Sequence, residues 1–247
     1  MMRREAAVSA METLGNDLVL LSIRSNGVIG TAAKLPFGLS GSELVRLTAL
    51  GRVDVEGDLI IIHDEASTGD ALLDEALMGI REGPLSARYW VASERGDVTR
   101  RYLETLVRAG TIRTESRKAL GFVAVAGWTV LDAEPLAEAR ARLDAIAYGS
   151  GSADSGQVAL AGLADAIGLP SLVYPGFAGR AARKRVATAG SRDATSTYLA
   201  GATRATTAVT IQAINAVTHA TVCAATGAGH HAVGHGGHGG HASGGHH

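Results

Sequence analysis

The chain has one cysteine, Cys223, in 247 residues, which excludes an intrachain disulfide framework and suits a reducing, cytoplasmic setting. It also lacks any excess of charge. Its 23 basic and 24 acidic side chains leave a formal net charge of −1, which argues against a general nucleic-acid coat and against strong electrostatic capture by a membrane. No stretch reaches the roughly 18 to 20 uninterrupted apolar residues of a spanning helix. The nearest candidate, residues 205–218, carries threonines, Gln212 and Asn215 and reads better as a buried Ala-rich helix. Residues 1–12 hold Arg3 and Arg4 but no apolar region behind them, so no signal peptide is expected. Any membrane contact is therefore made from the surface. Catalytic strings are missing as well: there is no GxSxG, P-loop, HExxH or paired-cysteine motif.

What remains is the composition of a soluble globular protein, 46% apolar and 19% charged with only 4% aromatics. The pattern is mainly helical. Residues 14–23 carry a short apolar helix, Ser25-Asn26-Gly27 a turn, and residues 35–41 a loop rich in Gly and Pro. Ser42 is placed to cap a helix through Leu44, Val45, Leu47 and Leu50 that Gly51 ends. Two short strands around Gly57-Asp58 predict a β-hairpin. Residues 67–77, STGDALLDEAL, then start a helix: Ser67 and Asp70 have capping-box spacing, and Leu72, Leu73, Ala76, Leu77 and Ile80 recur at helical intervals up to Gly83-Pro84. A short helix over 86–93 and another over 98–109, with Tyr102, Leu103, Leu106 and Val107 inward, lead to a second hairpin over 111–114 and 119–126. Helices follow over 134–148, 157–167, 177–189 and 193–225. The expected organisation is an arm over 1–12, one mostly helical domain with a few short β-hairpins over 13–226, and a disordered tail over 227–247.

Several clusters merit weighing for chemistry. Asp70, Asp74 and Glu75 read as a solvated face favoured by the helix dipole. His63 reads as a core or turn histidine, and Cys223 as inert. Tail residues His230, His231, His235, His238, His241, His246 and His247 offer flexible imidazoles to Zn²⁺ or Ni²⁺, so adventitious metal is the expectation and no cofactor is required. Basic groups gather at Arg180, Arg183, Lys184 and Arg185, at Arg95, Arg100 and Arg101, and at Arg113, Arg117 and Lys118, where arginine forks suit phosphate oxygens. A helix, a glycine and a hairpin occur twice, at Gly51 and Gly110, in the outline of a winged helix. The helices carry few basic residues, so no nucleic acid is expected.

The strings DLVLL (17–21), ELVRL (43–47), LGRV (50–53), TGDALLDEAL (68–77) and LVRAG (106–110), in this order and followed by four helices, make the chain resemble the Golgi phosphoprotein 3 (GPP34) family, in composition its bacterial, actinobacterial-type branch. The resemblance runs from about residue 14 to about 225. It implies a non-enzymatic peripheral membrane protein that binds phosphatidylinositol 4-phosphate or other anionic headgroups at the cytoplasmic, inner face of a membrane and serves as an adaptor for membrane-protein tails. The positions that carry the family's headgroup pocket hold Thr31, Ser40, Gly96 and Thr99 here, none able to supply a charged fork. Lys34, Arg95, Arg100 and Arg101 are the candidate substitutes. The family's lipid-dipping hairpin tip corresponds to residues 117–122, where Leu120 and Phe122 beside Arg117 and Lys118 are the membrane-contact candidates. One short wedge binds weakly, so homo-oligomerisation or a second signal is expected. Metal binding through the tail and a winged-helix-like nucleic-acid binder are the alternative readings.

Overall fold

A computed structural model describes residues 8–93, 97–119, 123–149, 153–190 and 201–227. Its first named helix, α1 (Leu14–Ser22), buries eight of its nine residues. It lies among the other helices and not upon them, and α2 (Leu35–Ala49) packs along it. The expected loop over 35–41 is in fact the first turns of α2. Pro36 sits within the first turn, where a missing N–H costs nothing. Gly38 and Gly41 do not break the helix but admit neighbours: a Cβ at Gly38 would come within 2.9 Å of Ile167, and one at Gly41 within 3.2 Å of Leu163. Ser42 is consequently no cap. It lies inside α2 and donates its hydroxyl to the Leu39 carbonyl at 2.8 Å.

Gly51, at φ +69°, ends α2 and starts β1 (Val53–Glu56), which pairs antiparallel with β2 (Leu59–Ile62). Then come α3 (Ala71–Glu82), α4 (Ala87–Ala92) capped by Ser86, and α5 (Val98–Arg108), which turns Tyr102, Leu103 and Leu106 inward. Val107, expected inside, is 40% exposed. Gly110 at φ +75° releases the chain into β3 (Ile112–Ala119) and β4 (Val123–Val130), a hairpin longer than the sequence suggests.

Among the described residues five more helices follow: α6 (Glu134–Tyr148), α7 (Ser155–Ala166), the single turn α8 (Pro170–Val173), α9 (Arg180–Ala189) and α10 (Gly201–Gly227). The helices expected over 157–167 and 177–189 leave residues 168–176 between them without a helix. Pro170 instead opens a helical turn, again at a position where its ring does no harm. Helix α10 lies against α2, α4, α7 and β1. Of its buried threonines, Thr206 meets Thr48 at 3.0 Å and Thr207 donates to the Thr203 carbonyl at 2.7 Å, while the Thr210 hydroxyl has no partner among the described residues. Among the described residues no helix is long and apolar enough to cross a membrane.

One buried charge ties the two halves together. Asp17 of α1 accepts from Arg142 of α6 at 2.7 Å and from Thr13 at 3.2 Å. Burial pushes its carboxyl up to about 6, with Arg142 pulling the other way and Glu138 adding a small push upward. In the unfolded chain the group titrates near 4. Between about pH 4 and pH 6 the folded protein therefore holds a proton that the unfolded chain has lost, so this group's contribution to stability declines as pH rises through that window. The decline amounts to about 3 kcal/mol. Urea midpoints at pH 4.5 and pH 7 should fall less for Asp17→Asn than for the wild type, and an equal fall would remove Asp17 from the account.

Candidate membrane-facing site

Asp70, at the N-terminus of α3, is the true cap: its carboxylate accepts from the backbone N–H groups of Leu72 at 2.9 Å and Leu73 at 3.4 Å. Ser67 does not complete a capping box. Its hydroxyl donates at 2.5 Å to Asp74, which also accepts the Thr68 N–H at 2.6 Å and the Thr68 hydroxyl at 2.7 Å. These hydrogen bonds hold the Asp74 carboxyl below its ordinary range. Asp70 further accepts from Arg46 of α2 at 2.6 Å, and the Arg46 side chain is only 8% exposed. Burial works against that arginine's charge, but the Tyr102 phenol and the Asp70 carboxylate outweigh it. Arg52, just after Gly51, pairs with Asp64 and donates to the Ser67 carbonyl at 3.0 Å. The acids read as a solvated face are thus a polar lock joining ELVRL, LGRV and TGDALLDEAL into one unit. The lock holds α2 against α3, and Arg46, Thr68 and Asp70 line a cavity of about 310 Å³ together with Glu12 and Leu73.

The second hairpin is anchored at its base. Trp128 of β4 donates its backbone N–H to the Gly27 carbonyl at 2.8 Å, and its half-buried indole packs against the core. This sets β3 and β4 beside the turn over residues 24–27. Register places Arg113 opposite Thr129, Arg117 opposite Val125 and Lys118 opposite Ala124. Arg113 is exposed and shares Glu115 at 2.8 Å. Lys34 precedes α2 and lies four residues beyond Gly30, at whose backbone the Arg24 side chain rests: a Cβ on Gly30 would stand 2.6 Å from Arg24 Nε. Arg24 is exposed and was not among the residues singled out from sequence, because a lone arginine after an apolar helix carries no signal of its own.

A match to a family model decides the wider relationship: residues 14–210 fit the Golgi phosphoprotein 3 (GPP34) model. The chain belongs to the Golgi phosphoprotein 3 family. No curated protein matches it significantly. Of the pocket positions implied by the resemblance, the three within the described residues of this GPP34 chain meet the rest of the fold. Ser40 is 1% exposed, and its carbonyl accepts the Trp90 indole N–H at 3.1 Å. The Thr31 hydroxyl meets that of Ser22 at 2.9 Å, and the Thr99 hydroxyl oxygen is sealed from solvent.

The candidate cations of this GPP34 domain divide between two places. Arg100 pairs with Glu104 at 2.6 Å, and Arg101 pairs with Asp97 at 2.7 Å and with Glu75 of the signature helix. Both lie at the end of α5 away from the hairpin, about 15 Å along the helix. A phosphate there would have to displace carboxylates already in place. Arg113 stands near the start of the hairpin and Arg24 on the turn at its base, while Lys34 precedes α2. Arg95, Gly96, Leu120, Phe122 and the histidines at 230, 231, 235, 238, 241, 246 and 247 lie outside the described residues. Among the described residues no three His, Cys, Asp or Glu side chains gather to hold a metal ion. His63 is exposed at the first hairpin, 2.9 Å from Asp54.

Proposed function

We propose that the protein is a non-enzymatic peripheral membrane protein that meets anionic phospholipid surfaces through the β3–β4 hairpin and the basic loop at its foot, on the inner face of a membrane. The observation that supports this reading is the Trp128–Gly27 bond, which fixes the foot of the hairpin beside the turn that carries Arg24, with Arg113, Arg117 and Lys118 along strand β3. Each basic residue near an anionic surface contributes about 1 kcal/mol, so several acting together are needed, and assembly of copies on the membrane multiplies the effect. Family membership supports the same reading. Since Thr31, Ser40 and Thr99 offer no cationic fork, recognition follows surface charge and not the identity of one phosphoinositide. Tails of membrane proteins are the partners such a surface-held domain would recruit.

Co-sedimentation with phosphatidylcholine vesicles, alone or with phosphatidylglycerol or phosphatidylinositol 4-phosphate at matched charge, tests this. Retention should rise with anionic content, be similar for the two anionic lipids, and weaken as salt shortens the Debye length. Equal retention on neutral vesicles, or selective retention on phosphatidylinositol 4-phosphate alone, would overturn the charge-led reading.

A further inference from the structure

The seam between α1, α6 and α8 opens into a cleft of about 660 Å³ next to the turn that anchors the hairpin. Its walls are mostly apolar, with Leu20 and Ile23 from the end of α1, Leu136 and Ala137 from α6, and Leu172 from α8. Its volume lies in the range of small-molecule sites, about 300 to 1,000 Å³, and an apolar lining with few polar groups is their usual character. Two cations stand at it, Arg24 and Arg140. Arg140 is already engaged: it bonds Asp144 at 3.1 Å and lies over the Tyr174 ring at 4.8 Å. Arg24 has no carboxylate partner among the described residues. Gly30 creates its berth, because a Cβ there would come within 2.6 Å of both Arg24 Nε and Leu172 Cδ2. The missing side chain lets the cation lie against the cleft's apolar wall.

We propose that this cleft binds one molecule of a single-chain anionic amphiphile, its headgroup on Arg24 and its alkyl chain along Leu20, Leu136 and Leu172. Charge and shape both select that occupant. An uncharged alkyl compound makes no use of the arginine fork, and a small anion leaves the apolar walls wet. The inference shares Arg24 with the membrane-facing loop above but does not rest on that reading, since the ligand enters as a dissolved monomer and is tested without vesicles.

The probe is octyl phosphate, titrated calorimetrically into the full chain below its micellar concentration without vesicles. Saturable binding of one molecule per chain is expected, at least tenfold tighter than octyl glucoside, with butyl phosphate weaker by about threefold or more for each methylene removed. Inorganic phosphate alone should give no measurable heat. Arg24→Gln should lower octyl phosphate affinity at least tenfold and leave octyl glucoside unchanged. Ala137 is exposed at the cleft and tolerates bulk, so Ala137→Trp should fill the space and abolish binding while the circular dichroism and thermal midpoint stay as in the wild type. Unchanged binding by Ala137→Trp, equal affinity for octyl glucoside, or binding of inorganic phosphate as tight as that of octyl phosphate would each overturn the proposal.

Discussion

Asp70→Ala should cost about 3–5 kcal/mol of folding stability, although the aspartate is about one-third exposed and touches no ligand. Two losses combine. The α3 cap disappears, worth about 1 kcal/mol, and Arg46 is left as a buried guanidinium without its carboxylate. Asp70→Asn separates the two, because asparagine caps as well as aspartate; it should lose roughly the charge contribution alone. Arg46→Met should be milder than Asp70→Ala. Removing a buried charge together with its need for a partner is far less costly than stranding it, and the Asp70 carboxylate keeps two backbone N–H donors. Denaturant unfolding of the three variants checks the order. Arg46→Met proving the most damaging would mean that the arginine acts through packing and not as Asp70's partner.

Gly15→Ala is expected to be nearly as costly, about 3 kcal/mol, for a steric reason. Gly15 faces the Tyr102 ring, which is 1% exposed, and an added methyl would overlap Cε1 and lie 2.6 Å from Cζ. The ring is held between helices, so α1 and α5 must move apart, and overpacking of this kind typically costs 1–3 kcal/mol and occasionally more. For a chain of this length the melting temperature should drop by roughly 6–12 °C. Tyr102→Leu removes the ring atoms that clash and leaves a cavity of its own, so the double variant should be more stable than the sum of the two single losses implies. Strict additivity would show that the two residues do not press on each other.

These two sites also show what the sequence discloses and what it hides. The leucine and alanine spacing of α3 and α5, the glycine stops at Gly51 and Gly110, and the α6 limits, identical to those expected, follow from periodicity and turn chemistry acting locally. The start of α2 did not, because Pro36, Gly38 and Gly41 read as breakers until the helices packed against them are known. Local spacing likewise suggested Ser67 as half of a capping box, but Ser67 is drawn to Asp74. The candidate site was legible in part. The hairpin with its basic residues could be read, whereas the engagement of Arg101 by Glu75 depends on α3 and α5 meeting in space. Arg24 gained its place only from contacts with Gly30 and the hairpin base.

The central claim is that the hairpin's charges bring the protein to an anionic surface. The direct measurement is co-sedimentation of the wild type and of the triple variant Arg113→Glu, Arg117→Glu, Lys118→Glu with phosphatidylglycerol-containing vesicles at low salt, after circular dichroism has shown both to be folded. At about 1 kcal/mol per basic residue, losing three attractions and gaining three repulsions should weaken partitioning by roughly 100-fold or more, leaving the variant in the supernatant. Equal pelleting of variant and wild type would contradict the account.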